Sequence, residues 1–192
     1  MNELKLKEID ITETLYYLGF KGTVPEPPIM TAIKKCEAKL LDTIKPQYVI
    51  KISDIEEDSH PLIVGNDIHD LLSGCQKAVF FCCTLGSGVD RLISYAGAFD
   101  ISDQLYTDAL ANAAVEQVCD MLQQKIASDY PEFELTMRFS PGYGDYPLEI
   151  QPEINRFLDA PKRIGVTVTD SLLMNPTKSV SAVIGLKKRG MF

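Results

Sequence analysis

Histidine is almost missing from this 192-residue chain: only His60 and His69 occur, and neither has a carboxylate at ligand spacing that would suggest a metal centre. Asp67-Ile68-His69 begins like an Asp-x-His-x-x-Gly corrin-ligating pattern, but Leu72 stands where glycine is required, so His69 reads as a surface helix residue. His60 precedes Pro61 with no partner that spacing identifies. Cysteine offers no framework either. The five cysteines, at 36, 75, 82, 83 and 119, are odd in number and contain no Cys-x-x-Cys pair. They read as reduced, mostly buried thiols rather than disulfides or a metal or redox centre. Basic residues are scarce relative to acids. The net charge of −8, with Lys187-Lys188-Arg189 as the lone basic cluster, argues against nucleic acid and anionic membrane as partners. No apolar stretch approaches membrane-spanning length, and the charged N-terminus lacks a leader-like apolar region, which predicts a cytoplasmic protein. There is no internal repeat, low-complexity tract or linker.

What remains is a chain of ordinary globular composition, long enough for one well-cored domain spanning residues 1–192. Periodicity predicts a short helix over Ile9–Leu18 capped by Thr12, and an amphipathic helix over Ile29–Ile44 that ends at Pro46. Alternation places a strand at Tyr48, Ile50 and Ile52, and a short one at Leu62–Val64. Asp54-Ile55-Glu56-Glu57-Asp58 reads as an exposed acidic turn, since the spacing and glycine of a calcium loop are absent. A short helix from Asn66 or Asp67 stops at Gly74. Ala78–Leu85 is apolar almost throughout, as in a strand covered on both faces. Gly86-Ser87-Gly88 then opens a helix. Arg91 replaces the third glycine of a dinucleotide fingerprint, so the segment reads as a packed turn. A long helix, Asp103 to about Ser128 with Ser102 as cap, carries Leu110, Ala114, Val118, Met121, Leu122 and Ile126 on its apolar face. Glu116 and Asp120 lie four apart on it, a spacing open to a working carboxylate pair, with a solvated face as the default. Pro152 opens a helix to about Leu158, and alternation predicts strands at Ile164–Val168 and Val180–Ile184. Mixed helices and alternating strands predict an α+β fold, a mostly antiparallel twisted sheet flanked by helices.

The richest stretch is Arg138-Phe139-Ser140-Pro141-Gly142-Tyr143-Gly144-Asp145-Tyr146-Pro147. Alternating Phe133, Leu135, Met137 and Phe139 lead into it as a strand, which places Arg138 on the opposite face beside a Pro-Gly turn. A guanidinium fixed at a strand end suits the carboxylate of a small ligand, and equally a surface ion pair at a rigid corner.

Arg138-x-Ser140-Pro141-Gly142-Tyr143-x-x-x-Pro147 is followed, after a short helix, by Gly165 and Thr169-x-Ser171-x-x-Met174-x-Pro176-x-x-Ser179-Val180-Ser181. Together these resemble the activation (reactivation) domain of cobalamin-dependent methionine synthase, in its short free-standing form. The family carries Arg-x-x-Pro-Gly-Tyr and Met-x-Pro-x-x-Ser-Val-Ser in this order. The resemblance implies binding of S-adenosylmethionine (AdoMet) at Arg138, Ser140, Pro141, Gly142 and Tyr143. Arg138 would take the methionine carboxylate, backbone around Ser140 the adenosyl portion, and Gly142 and Tyr143 the pocket wall. Asp145 and Tyr146 are added on local chemistry alone, as surroundings for the sulfonium. The implied role is reductive methylation of cob(II)alamin on a partner, the cobalamin-binding methionine synthase core or another corrinoid protein, with an electron from a flavodoxin-like donor. No catalytic side chain of this chain is then required. The alternative is a corrinoid-docking module without AdoMet, because Ala182-Val183-Ile184-Gly185 follows where larger members carry adjacent tyrosines.

Overall fold

Two strands are apolar on both faces, and that alone forces packed layers on either side of the sheet they share. In the computed structural model, which describes residues 4–55 and 60–190, the chain runs α1 (Ile11–Tyr17), α2 (Pro27–Thr43), β1 (Gln47–Asp54), α3 (Asn66–Leu72) and β2 (Lys77–Thr84). It continues through α4 (Ser87–Gly97), α5 (Ile101–Asp129), β3 (Phe133–Leu135), a 3-10 turn at Leu148–Ile150, α6 (Gln151–Phe157) and α7 (Ala160–Ile164). It closes with β4 (Thr167–Val168), β5 (Met174–Asn175) and β6 (Ser179–Lys188). The sheet order is β1-β2-β6-β3, antiparallel at every pairing, and β4 and β5 form a separate small hairpin. The expected α+β architecture, an antiparallel sheet between helices, is what forms.

Residues of β2 alternate between two cores. Val79, Phe81 and Cys83 face one that also holds Ile33, Leu40, Leu110, Ala113, Ala114, Val118, Leu122 and Ile126, supplied by α2 and α5. Ala78, Phe80 and Cys82 face the other, with Ile68, Tyr146, Ile154, Leu158 and Val166. Ala109, Ala111, Ala113 and Ala114 are all buried on α5, and their small side chains let this helix lie close against the sheet and α2.

Several expectations need correction. Asp10, not Thr12, caps α1: its carboxylate accepts the Glu13 N–H at 3.0 Å. Asp100, not Ser102, caps α5 by accepting the Ser102 N–H at 2.8 Å, because its extended backbone brings the carboxylate under the first turn. Leu62–Val64 is not a strand. Pro61 lacks a ladder donor and the Ile63 N–H closes a turn onto the His60 carbonyl, so Leu62 and Ile63 are buried through a loop. Ile164 ends α7 and Gly165 terminates it at φ 69°, leaving only Thr167–Val168 extended. Of the acidic segment 54–58, Asp54 ends β1 and pairs with Lys77, while Glu56–Asp58 lie outside the described residues.

Candidate functional site

The position of Arg138 depends on a one-residue irregularity in the β3 side of the sheet. Leu135 stands opposite Leu186, and the Thr136 N–H donates to the Gly185 carbonyl at 3.0 Å. Phe139, however, stands opposite Val183, so Met137 and Arg138 together face Ile184 alone. This is a β-bulge. Strict alternation would send Phe139 to the same face as Phe133 and Leu135. The bulge instead turns Phe139 into the second core beside Val183 and Tyr146, exposes Met137, and aims Arg138 at α5. The predicted opposition of Arg138 and Phe139 holds, but the uninterrupted strand behind it does not.

On α5, Glu116 and Asp120 lie one turn apart and both reach the guanidinium. Arg138 Nη2 donates to Glu116 Oε2 at 2.6 Å and Nη1 to Asp120 Oδ1 at 2.5 Å. The default reading of these acids as a solvated face is therefore corrected, since the bulge delivers a cation to them. Burial works against the arginine's charge, but the hydrogen bonds from Asp120 and Glu116 outweigh it and raise its pKa. Asp120 is the looser partner, 59% exposed against 32% for Glu116. From α1, the Tyr17 phenol feels the Glu116 charge; burial first, then Glu13 and Glu116, push its pKa up to about 12.

After Arg138 the chain turns at Pro141-Gly142, where the Gly142 N–H bonds the Tyr146 carbonyl at 2.8 Å and Gly142 takes φ 91°. The loop is bolted to α3. Asp145 accepts the Asn66 and Asp67 N–H groups at 2.7 and 3.0 Å, and Asp67 accepts the Asp145 N–H at 3.0 Å. A Cβ on Gly144 would sit 1.9 Å from Asp67 Oδ2, so this approach demands glycine. The amides of Asp67 and Asn66 hold the Asp145 carboxyl below its usual range. Tyr146 is buried, its hydroxyl donating to the Leu62 carbonyl at 2.8 Å. Asp145 and Tyr146 are thus fixed in structural roles, and neither lines the cleft described next.

A cleft of about 540 Å³ opens beyond the end of β3, where one edge of β6 is left uncovered while the other stays paired with β2. Its lining includes Glu116, Arg138, Ser140, Tyr143, Gln151 and Ser181. Its size suits a nucleoside-sized ligand. Of the residues expected at a site, Arg138, Ser140 and Tyr143 meet here; Pro141 is buried behind them and Gly142 shapes the turn. Gln151 was not singled out from sequence, Glu116 only as half of a carboxylate pair with Asp120, and Ser181 only as a motif residue with no role. Ser181 stood in plain view inside Ser-Val-Ser, whereas Gln151 carries no local signal and joins the cleft only through the packing of α6.

The other candidates resolve structurally. The Arg91 side chain folds back onto Ser87 Oγ at 3.3 Å, and the following sheet is antiparallel rather than the parallel crossover a dinucleotide site uses. His60 stacks on Phe80 at 4.9 Å, and burial lowers its pKa. His69 is exposed on α3. All five cysteines are free, and Cys75 is the one not fully buried. Among the described residues no group of three or more metal-ligating side chains forms, and no helix is long and apolar enough to cross a membrane.

Comparison with known proteins adds three findings. The family profile described as the vitamin B12 dependent methionine synthase activation domain matches residues 66–190. A crystal structure of the MetH reactivation domain bound to AdoHcy superposes with a TM-score of 0.72 and 19% sequence identity, covering 99% of this chain and 78% of that one. No curated protein matches the sequence.

Proposed function

The chain belongs to the family of vitamin B12 dependent methionine synthase activation domains, and from that premise we propose that it binds AdoMet in the β6 cleft and presents it to a cobalamin held by a partner protein. The observation that carries this reading is the Arg138–Glu116–Asp120 cluster at one end of a nucleoside-sized cleft. An α-amino acid head is a zwitterion. Arg138 offers a planar donor fork to its carboxylate, and Glu116, the more enclosed acid, offers an acceptor to its ammonium. Tyr143 at the rim, with the neighbouring carboxylates, provides a surround suited to a sulfonium cation. The crystallised reactivation domain with AdoHcy bound supports this fit.

AdoMet supplies the methyl group when bound; the residues of this chain hold and orient it. Arg138 and Glu116 fix the amino-acid end, the Ser140–Tyr143 turn closes over it, and the walls exclude water. The acceptor and the electron lie outside the chain, on a cobalamin-binding methionine synthase core or related corrinoid protein and on a flavodoxin-like donor. Accordingly the chain acts as the reactivation component of a methyltransferase system in the cytoplasm, as one 1–192 domain, and carries no catalytic acid, base or nucleophile of its own.

One observation favours a second reading, a docking module that does not bind AdoMet. Arg138 is already satisfied within the chain, so a ligand carboxylate must displace one of its partners. Asp120, the more exposed, is the one that yields. Calorimetric titration with AdoMet decides between them. Arg138→Ala should weaken binding at least about 100-fold, while Asp120→Asn, which removes the competing carboxylate, should tighten it by a few fold. No heat with the wild-type protein, alone or with a cobalamin-loaded partner, would leave the docking reading.

A further inference from the structure

Ser181 is 3% exposed, and among the described residues its hydroxyl has no hydrogen-bond partner, although it lines the cleft. A buried hydroxyl left unpaired costs stability, so its retention there calls for an occupant. The fold shows what kind. Side chains of β6 alternate across the sheet: Ala182 and Ile184 face the α5 core, and Val183 faces the core built by α3, α6 and α7. Ser181 therefore shares the Val183 face, opposite the α5 face on which Arg138 meets Glu116. The cleft wraps around the β6 edge and has two unlike ends. One is charged, with Arg138 and Glu116. The other is neutral, with the Ser181 hydroxyl, Gln151 held by its amide nitrogen on the Leu172 carbonyl at 2.9 Å, and the Met174 thioether.

The backbone adds to the neutral end. Val183 turns its N–H and C=O toward Phe139, each bond 2.9 Å, and two-residue periodicity turns those of Ser181 the same way, past the end of β3. One extended residue thus presents a donor, an acceptor and a hydroxyl together at the cleft. That set matches the edge of an aminopurine, which offers an acceptor ring nitrogen beside an amino donor, and a thioether packs well on its face. A charged amino-acid head has no counter-charge there.

We propose that Ser181, through its unpaired hydroxyl and its free main-chain edge, binds the nucleoside end of the ligand, placing the purine across the β6 edge from Arg138. The assignment rests on the AdoMet reading of the same cleft. It is tested by titrating the full chain and its Ser181→Ala and Arg138→Ala variants with AdoMet and, separately, with adenosine. Ser181→Ala should weaken both ligands about tenfold, the worth of one good hydrogen bond. Its melting temperature should stay unchanged or rise, because an orphaned hydroxyl has been removed; a purely structural serine would lower it. Arg138→Ala should weaken AdoMet and spare adenosine. Wild-type binding of AdoMet with undiminished affinity in Ser181→Ala overturns this assignment alone. A Ser181→Ala loss confined to AdoMet moves the hydroxyl to the amino-acid end and also overturns it. Failure of the wild type to bind AdoMet removes both readings.

Discussion

The two faces of the sheet are held by different physics. On the α5 face the buried side chains are almost all hydrocarbon or thiol, and the buried hydroxyls of Thr14 and Thr107 bond to carbonyls one helical turn back, those of Asp10 and Asp103. Long-range polar bonds on this side, Arg138 to Glu116 and Asp120 and Lys178 to Asp108, lie at its partly exposed margin. On the other face, short helices and loops are joined by polar bonds between segments distant in sequence. Tyr146 reaches Leu62, Asn155 donates to the Val166 carbonyl at 3.0 Å, and Asp145 grips the start of α3. The first arrangement tolerates conservative exchange as long as volume is kept. The second fixes loop positions one bond at a time, as a binding loop requires.

This contrast can be challenged by substitution. Leu122→Ala, on the α5 face, should cost about 2–5 kcal/mol in urea unfolding, since it removes transfer energy and leaves a cavity beneath a rigid helix. Tyr146→Phe, on the other face, should cost about 1–3 kcal/mol by leaving the buried Leu62 carbonyl unpaired. It should also weaken AdoMet binding, which Leu122→Ala should not do at a temperature where that variant is folded. If both variants lost stability alone, the distinction between a volumetric face and a bonded face would fail. The smallest effect concerns pH. Asp145 has a lowered pKa in the folded protein, so its contribution is present at neutral pH and is lost as pH falls through that lowered value, below the ordinary aspartate range near ~3.9. Protection factors of the Asn66 and Asp67 amides should therefore fall as pH drops through that lowered value, whereas Asp145→Ala should lose protection at every pH.

The same contrast governs what could be read from residues in order. The amphipathic periods of α2 and α5 and the doubly apolar run of β2 were legible because each reports burial directly along one element. The Arg138–Tyr143 turn was legible from Pro-Gly chemistry and from the paired motifs of the family resemblance. Glu116 and Asp120 were visible only as a spacing, because the cation that gives them a role comes from a strand eighteen to twenty-two residues away. Asp145 and Tyr146 were misplaced for the same reason: local chemistry suggested a ligand, while the true partners, Asp67 and Leu62, lie far back in the chain. Leu62–Val64 shows the converse. Three apolar residues suit a strand, yet Pro61 and the turn at His60 bury two of them without one.

The bulge at Met137-Arg138 has a further consequence for how this chain can vary over time. Replacing a side chain there changes the strength of one contact, but a one-residue slip that closed the bulge at unchanged length, pairing Met137 with Ile184 and Arg138 with Val183, would restore plain alternation, return Phe139 to the α5 face and point the guanidinium away from its acids. The site is thus held by register as much as by chemistry. Lineages that keep a functional cleft should drift freely in sequence around this corner while holding the pairing of Phe139 with Val183, and a shift of that register should mark those that have abandoned it.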